Sequence, residues 1–435
     1  MGILRVISAA LCAIASGTAV DERPNVVVVL ADDLGYAALS CNGGTLVQTP
    51  HLDRLASEGL RFTNCHVQPL CSPTRVGLMT GRGNRRNYVG FGRFDTRENT
   101  FAQVLQRSGY ATAVVGKWQM GDKGKWLKQS GFDTSSLRDY AYPGKPNWMR
   151  YWGGSIEVDG IKQVLDDDVF FADLQLDWSL KWLDAQGDRP FLLYLPTPLP
   201  HALFVNGPPE YTAGEPVRGI AKVTGPKAFP SLLGHLDRQM GVLTDHLKQR
   251  GIERKTLFLF LGDNGTEMTI PRSDGTVEKP GKMKTSNPGT HSPCIAWWPG
   301  TVKPGVATDL VSELDLLPTL AELAKAPLPA GVEFDGVSLA RRLTAGEPSP
   351  RSEIYHWYSP HGEPPVIWAH DARWKLYGDG RLYDTIADRE ERSVIAAETA
   401  ETTAARQRLQ LVIDRQATIP EPKPQRAAKG GDDDG

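Results

Sequence analysis

The sequence predicts an α/β protein with a doubly wound, mostly parallel sheet flanked by helices and a small antiparallel subdomain towards its C-terminal end. Three observations predict it. Apolar, β-branched runs recur along the chain, segments of helical periodicity lie between them, and from about Arg351 the pattern changes to short aromatic strands.

Taken in order, Arg5, the apolar run Val6 to Ala15 and small residues through Ala19 read as a secretory signal over residues 1–19. The mature chain is therefore expected outside the cytoplasm, in a periplasm or the extracellular space. Ala10 and Leu11 do not fit the pattern that precedes a lipid-modified Cys, so Cys12 is read as part of the signal. No later segment approaches the roughly 20 apolar residues that spanning a bilayer needs, so no stable membrane insertion is expected.

Asn25 to Ala31 is an apolar run suited to a strand buried on both faces, and Asp32-Asp33 follows it. Asn99 caps a helical pattern that stops at Gly109. Ala111 to Val115 is a strand leading into Gly116-Lys117, and Phe191 to Leu195 is another, leading towards Pro200-His201. Leu232, Leu233, Leu236, Met240, Leu243 and Leu247 repeat at helical spacing before Gly251. Thr256 to Gly262 repeats the apolar strand pattern and ends in Asp263-Asn264-Gly265. These elements define a large α/β domain over 24–350. Glu353 to Tyr358, Val366 to Ala369, Trp374 to Tyr377 and Arg381 to Tyr383, with a helix near Ala397 to Arg415, form a subdomain over 351–415. Residues 416–435, rich in Pro, Lys, Gly and Asp, are expected to be a disordered tail.

Composition excludes several classes of protein. The 435 residues include 49 Lys plus Arg and 51 Asp plus Glu, a formal net charge of −2, so nucleic acid is not the expected partner. With 40% hydrophobic residues, 44 Gly and 32 Pro, the chain is neither collagenous, coiled-coil nor wholly disordered. Five Cys are too few for a disulfide framework, and Cys12 leaves with the signal; Cys41, Cys65, Cys71 and Cys294 remain.

Open parallel sheets bind ligands beyond the carboxyl ends of their strands, which is where the clusters at Asp32-Asp33, Lys117, His201 and Asp263-Asn264 all fall. An Asp pair after one strand is more often a cap or turn than a metal site. Four polar clusters at equivalent places argue for a shared site.

Cys71-Ser72-Pro73-Thr74-Arg75 precedes Thr80-Gly81-Arg82, so Pro73 fits the first turn of a short helix that ends near Gly81. Cys71 then stands at a helix N-terminus, where backbone N–H groups favour an anion, with Arg75 one turn along. The Cys-x-Pro-x-Arg pattern followed by Thr-Gly-Arg resembles the signature of the sulfatases, within the alkaline phosphatase superfamily. Supporting stretches are Asp32-Asp33-Leu34-Gly35-Tyr36, Thr49 to Ala56, Gly116-Lys117-Trp118, Pro200-His201, Asp263-Asn264-Gly265, Asp315 to Thr319 and Leu382-Tyr383-Asp384.

The resemblance implies hydrolysis of sulfate monoesters by a formylglycine, made from Cys71 by a formylglycine-generating enzyme. Its hydrate carries two hydroxyls on one carbon, one to attack sulfur and one to expel sulfate as the aldehyde reforms. The resemblance further assigns Asp32, Asp33, Asp263 and Asn264, together with position 71, to one divalent cation, most often calcium, for which hard oxygen donors suit. Lys117, His201 and Lys282 match the family's sulfate-binding groups, with Arg75 beside them and His201 a candidate acid for the leaving alcohol.

Lys282 is placed by its spacing to Pro293, across a stretch that departs from the family's Glu-Gly-Gly pattern at Asn287-Pro288, and Lys284 is its rival. Gln119 stands where the family has a His thought to help break down the sulfated intermediate, and an amide takes no proton at neutral pH. Slow turnover is expected. Phosphate or phosphonate monoester hydrolysis and a low-activity sulfate-ester-binding homologue are the competing readings. The substrate is expected to be a small-molecule or carbohydrate sulfate ester, because Trp126, Tyr140, Tyr142, Trp148, Tyr151 and Trp152 form an aromatic segment suited either to stacking on sugar rings or to a local core.

Overall fold

The computed structural model describes residues 22–121, 127–138 and 147–422. The expected signal, Trp126, Tyr140, Tyr142 and the chain beyond 422 lie outside the described residues.

Ten strands form the main sheet: β1 (Asn25–Ala31), β2 (Leu60–His66), β3 (Ala111–Gly116), β4 (Thr134–Arg138), β5 (Trp152–Val158), β6 (Ile161–Phe170), β7 (Phe191–Thr197), β8 (Thr256–Gly262), β11 (His291–Trp297) and β12 (Gly305–Ser312). A short hairpin of β9 (Ile270–Pro271) and β10 (Val277–Glu278) stands apart. The order is β12-β2-β11-β8-β1-β7-β3-β4-β5-β6. The central run from β8 through β4 is parallel, as expected. The sheet as a whole is mixed, because β11 runs antiparallel to both β2 and β8, and β5 runs antiparallel to β4 and β6.

The strands predicted by apolar runs are those buried on both faces. Every residue of β1, β3, β7 and β8 is buried. Alternate side chains of β1 point to opposite layers: Val26, Val28 and Leu30 to one core, Val27, Val29 and Ala31 to the other. Helices Cys71–Thr80, Phe101–Arg107 and Leu316–Leu323 cover the first layer, and Phe229–Gln249 covers the second with its Leu and Met stripe. The helix at 101 is capped by Thr100 rather than Asn99. Thr100 Oγ1 accepts the Gln103 N–H at 3.0 Å while Gln103 Oε1 accepts the Thr100 N–H at 3.1 Å, satisfying two donors reciprocally.

The C-terminal sheet contains β13 (Ile354–Tyr358), β14 (Val366–His370), β15 (Trp374–Tyr377) and β16 (Leu382–Asp384), antiparallel and in sequential order. Helix Ala400–Ala417 packs Ala405, Leu409, Val412 and Ile413 onto Ala369, Trp374, Leu376 and Leu382. It runs two residues past the expected end at Arg415.

Of the aromatic segment, the described residues are Trp148, Tyr151 and Trp152. Tyr151 and Trp152 are fully buried, Trp152 standing edge-on to Phe170 at 5.1 Å, so neither is free to stack on a sugar. Half-buried Trp148 carries the Lys222 ammonium at 4.0 Å from its ring centroid. No helix among the described residues is long and apolar enough to cross a membrane.

Candidate active site

Strand register delivers the acidic residues to one place. Ala31 pairs with Gly262 on β8 and with Thr197 on β7, so Asp32 and Asp263 leave adjacent strands at the same level, and the Pro200-His201 turn follows nearby. Lys117 leaves β3, the strand beyond β7, at the same edge. Helix Cys71–Thr80 points its first residue into this edge. Its first turn contains Pro73 and it closes at Gly81, whose φ of 65° is the left-handed conformation a helix C-terminus favours in Gly.

The fully buried Arg75 turns its guanidinium onto the acidic residues clustered with Cys71. Its Nη2 pairs with Asp263 Oδ2 at 2.8 Å and Asp32 Oδ1 at 3.5 Å, while Nη1 donates to the Lys117 carbonyl at 2.7 Å. One guanidinium thus ties three strand ends together. Thr74 adds a further tie, donating from Oγ1 to the Asp263 carbonyl at 2.6 Å.

Lys117 Nζ lies 2.8 Å from Asp32 Oδ2 and 3.9 Å from Cys71 Sγ. Asp33, at φ 57°, accepts the Asn264 amide at 2.8 Å on Oδ1 and meets Lys282 Nζ at 3.0 Å on Oδ2. Lys282 Nζ also contacts Glu267 Oε1 at 2.8 Å and His201 Nε2 at 3.1 Å. His201 donates its Nδ1–H to the Ala202 carbonyl, which leaves Nε2 as the acceptor for Lys282. All the predicted site residues, Asp32, Asp33, Cys71, Arg75, Lys117, His201, Asp263, Asn264 and Lys282, therefore converge. The rival Lys284 is exposed, and sequence spacing alone did not separate the two.

The electrostatics follow from burial. At Asp32 burial opposes the charge, but Lys117, then His201 and Arg75, hold its carboxyl well below the usual carboxylate range. Burial pushes Asp33 up to about 6 against the pull of Lys282, and pushes Asp263 up to about 8, with Asp32 adding repulsion. Burial also lifts the Cys71 thiol to about 11, and Lys117 only partly offsets it. His201 is held well below its ordinary value by burial, then by Arg150.

Arg150 and Glu267 are functional-site neighbours that the sequence reading missed. Arg150 comes from the segment before β5 and Glu267 from the turn after Asp263, and neither carries a motif.

The donor set fits a hard divalent cation. One donor atom each from Asp32, Cys71 and Asp263 lies within 4.8 Å of the others, and the same holds for Asp32, Asp33 and His201. Asn264 Oδ1 is buried without a hydrogen-bond partner. An ion here would take that orphaned oxygen and stabilise the ionised forms of the two carboxylates that burial raises.

A parallel sheet whose strand ends gather carboxylates and cations round one buried side chain is suited to hold an anionic group beside a metal ion. The comparisons make this specific. The sulfatase family model matches residues 24–326, and the chain belongs to the sulfatase family. It is 35% identical over 383 residues to arylsulfatase A of Homo sapiens, covering 80% of this chain and 73% of that protein. It is 29% identical over 394 residues to N-acetylgalactosamine-6-sulfatase of Mus musculus, covering 81% and 72%. Among solved structures, BT4656 in complex with its substrate D-glucosamine-2-N,6-O-disulfate matches with a TM-score of 0.73 at 20% identity, covering 95% of this chain and 100% of that one. The protein is a sulfatase, an enzyme that hydrolyses sulfate esters.

Proposed function

We propose that the chain hydrolyses sulfate monoesters outside the cytoplasm through a formylglycine formed at Cys71 by a maturation enzyme, beside a calcium ion held by Asp32, Asp33, Asp263 and Asn264. The observation that carries this reading is the surroundings of Cys71. Its thiol begins a helix, lies 3.9 Å from the Lys117 ammonium, and shares a donor cluster with Asp32 and Asp263. A thiol lifted to about 11 stays protonated at neutral pH, so the gene-encoded side chain is a poor nucleophile and the proposed attack on sulfur calls for its conversion.

A hydrated aldehyde at position 71 would supply the attacking hydroxyl, and a dication held by Asp32, Asp33, Asp263 and Asn264 would stabilise negative charge on the nucleophile and the sulfate oxygens. The remaining work falls to the chain's own side chains. Lys117 and Lys282 place two ammonium groups against the sulfate oxygens, where charge grows as the ester bond breaks. Arg75 keeps Asp32 and Asp263 facing the same point. His201 is the candidate to relay a proton to the departing alcohol, its Nε2 receiving that proton from the Lys282 ammonium that it faces.

The relatives' names cover both aryl and sugar esters. The substrate class proposed here is accordingly a small-molecule or carbohydrate sulfate ester. Enzyme coexpressed with a formylglycine-generating enzyme should yield a tryptic peptide with an aldehyde at position 71. It should cleave an aryl sulfate faster than the matching aryl phosphate, lose activity to a chelator and regain it with calcium. Unmodified thiol in active enzyme, preference for the phosphate, or indifference to chelation would each overturn the corresponding part.

A further inference from the structure

Lys282 stands on a segment with no regular structure, between β10 and the short helix Asn287–Thr290. Its near half is anchored to the main domain: the Gly281 N–H donates to the Thr266 carbonyl and the Met283 N–H to the Pro69 carbonyl, each at 2.8 Å. Gly281 is required there, since a Cβ would collide with the Pro288 carbonyl. The far half is held by side chains from the C-terminal subdomain. Lys375, on β15, donates to the Thr285 carbonyl and pairs with Glu391 Oε1 at 2.8 Å. Tyr377 donates its hydroxyl to Glu391 Oε2 at 2.6 Å, and the Asn287 N–H donates to Glu391 Oε1 at 2.8 Å.

This cluster is dry. The Lys375 and Glu391 side chains are 1% and 3% exposed. Desolvation opposes the Lys375 charge, and Glu391 is the carboxylate that compensates it. Removing one partner of such a pair leaves the other charge buried and unpaired, which the segment relieves by moving. The Pro288 carbonyl packs against Gly281, the residue next to Lys282, so the end held by Glu391 touches the anchored half on which Lys282 stands.

We propose that Glu391, with Lys375 and Tyr377, is a positioning residue for the anion site, so that the C-terminal subdomain sets where the Lys282 ammonium stands. The inference rests on the reading of Lys282 as a sulfate-binding group. Misplacement of such a group by about 1 Å costs on the order of a hundredfold in rate. Glu391→Gln keeps an acceptor and the shape but removes the charge. Tyr377→Phe removes the hydroxyl that meets Glu391 and Thr285 without leaving a buried charge unpaired, and is the milder change.

The test is a double-mutant cycle: each variant is made alone and with Lys282→Ala in the full-length matured enzyme, reading kcat/KM on an aryl sulfate and the melting temperature. Expected are losses of about tenfold to a hundredfold for Glu391→Gln and a smaller loss for Tyr377→Phe when Lys282 is present. Little further loss is expected in the Lys282→Ala background, with equal melting shifts in both. Equal loss of kcat/KM in the two backgrounds, or no loss in either, overturns the positioning role. Should Lys282→Ala alone leave kcat/KM unchanged, the sulfate-binding reading of Lys282 fails, and the positioning role falls with it.

Discussion

Lys117→Met removes one charge from the centre of the site while keeping most of the buried volume. Its ammonium lies 3.9 Å from the sulfur of Cys71, which marks where the nucleophile stands, and 2.8 Å from Asp32. At that separation and an effective dielectric near 20, one unit charge is worth about 4 kcal/mol. Expressed only in the transition state, that is about a thousandfold in kcat. Arg75 also faces Asp32, at 3.5 Å, so Asp32 retains a cation and the acidic cage should keep its metal. The assay is steady-state kinetics on an aryl sulfate for Lys117→Met and Lys117→Arg, with calcium content and melting temperature measured on the same preparations. Lys117→Met should lose about three decades in kcat with calcium unchanged. A loss below tenfold at unchanged calcium content and stability would refute the electrostatic argument, because it would mean that the ammonium compensates Asp32 rather than the reacting sulfate.

Two further outcomes follow from buried groups. Gln119, at φ 50°, has both amide atoms buried without a partner among the described residues, and its backbone carbonyl accepts from Ser72 next to the nucleophile. Gln119→His should raise the steady-state rate by restoring a proton acceptor, read as kcat on an aryl sulfate; an unchanged or lower rate means that another group serves as base. At the junction of the two sheets, His66 packs on His370 at 4.3 Å, His370 on His356 at 5.3 Å and His356 on Trp368 at 4.6 Å, with Lys375 and Arg351 as charged neighbours. Burial holds all three imidazoles well below 6.5. Below about pH 6.5 the unfolded chain therefore takes up protons that the folded chain refuses, so stability falls as pH drops through that point. Melting followed by tryptophan fluorescence with calcium saturating, so that Asp33 and Asp263 stay ionised, should show the decline from pH 7 to 5. Burial also pushes Glu278 and Glu313 up to about 7, which works in the opposite sense, so the check is the difference between wild type and His356→Phe: the variant should decline less steeply, and identical profiles would contradict the assignment.

Legibility differed between parts of the molecule for physical reasons. β1 and β8 were readable end to end because strands buried on both faces must be apolar throughout. The four C-terminal strands were readable from their aromatic content. β2, β11 and β12 were not, since β2 is half-exposed at alternate positions and β11 carries Pro293 at a bulge, so neither shows a clean period. β6 mixes exposed Ile161 and Val164 with Lys, Gln and three Asp, so it shows no alternation of apolar and polar residues. Cys71, Asp32, Asp33, Asp263 and Asn264 were legible through motif spacing, whereas Glu267, Arg150 and Glu391 come from stretches without a motif.

The order of residues along the chain determined the class of fold, the place of the site at the strand ends, and the identity of the groups that meet there, because apolar periodicity and local spacing are written residue by residue. Only the tertiary structure decided which groups face which. It turned Arg75 onto two aspartates, set Lys282 rather than Lys284 against Asp33, moved Tyr151 and Trp152 into the core, and brought Glu391 against the Lys282 segment. Such pairings join residues from 43 to more than two hundred positions apart, and they depend on register and packing, which no local pattern records.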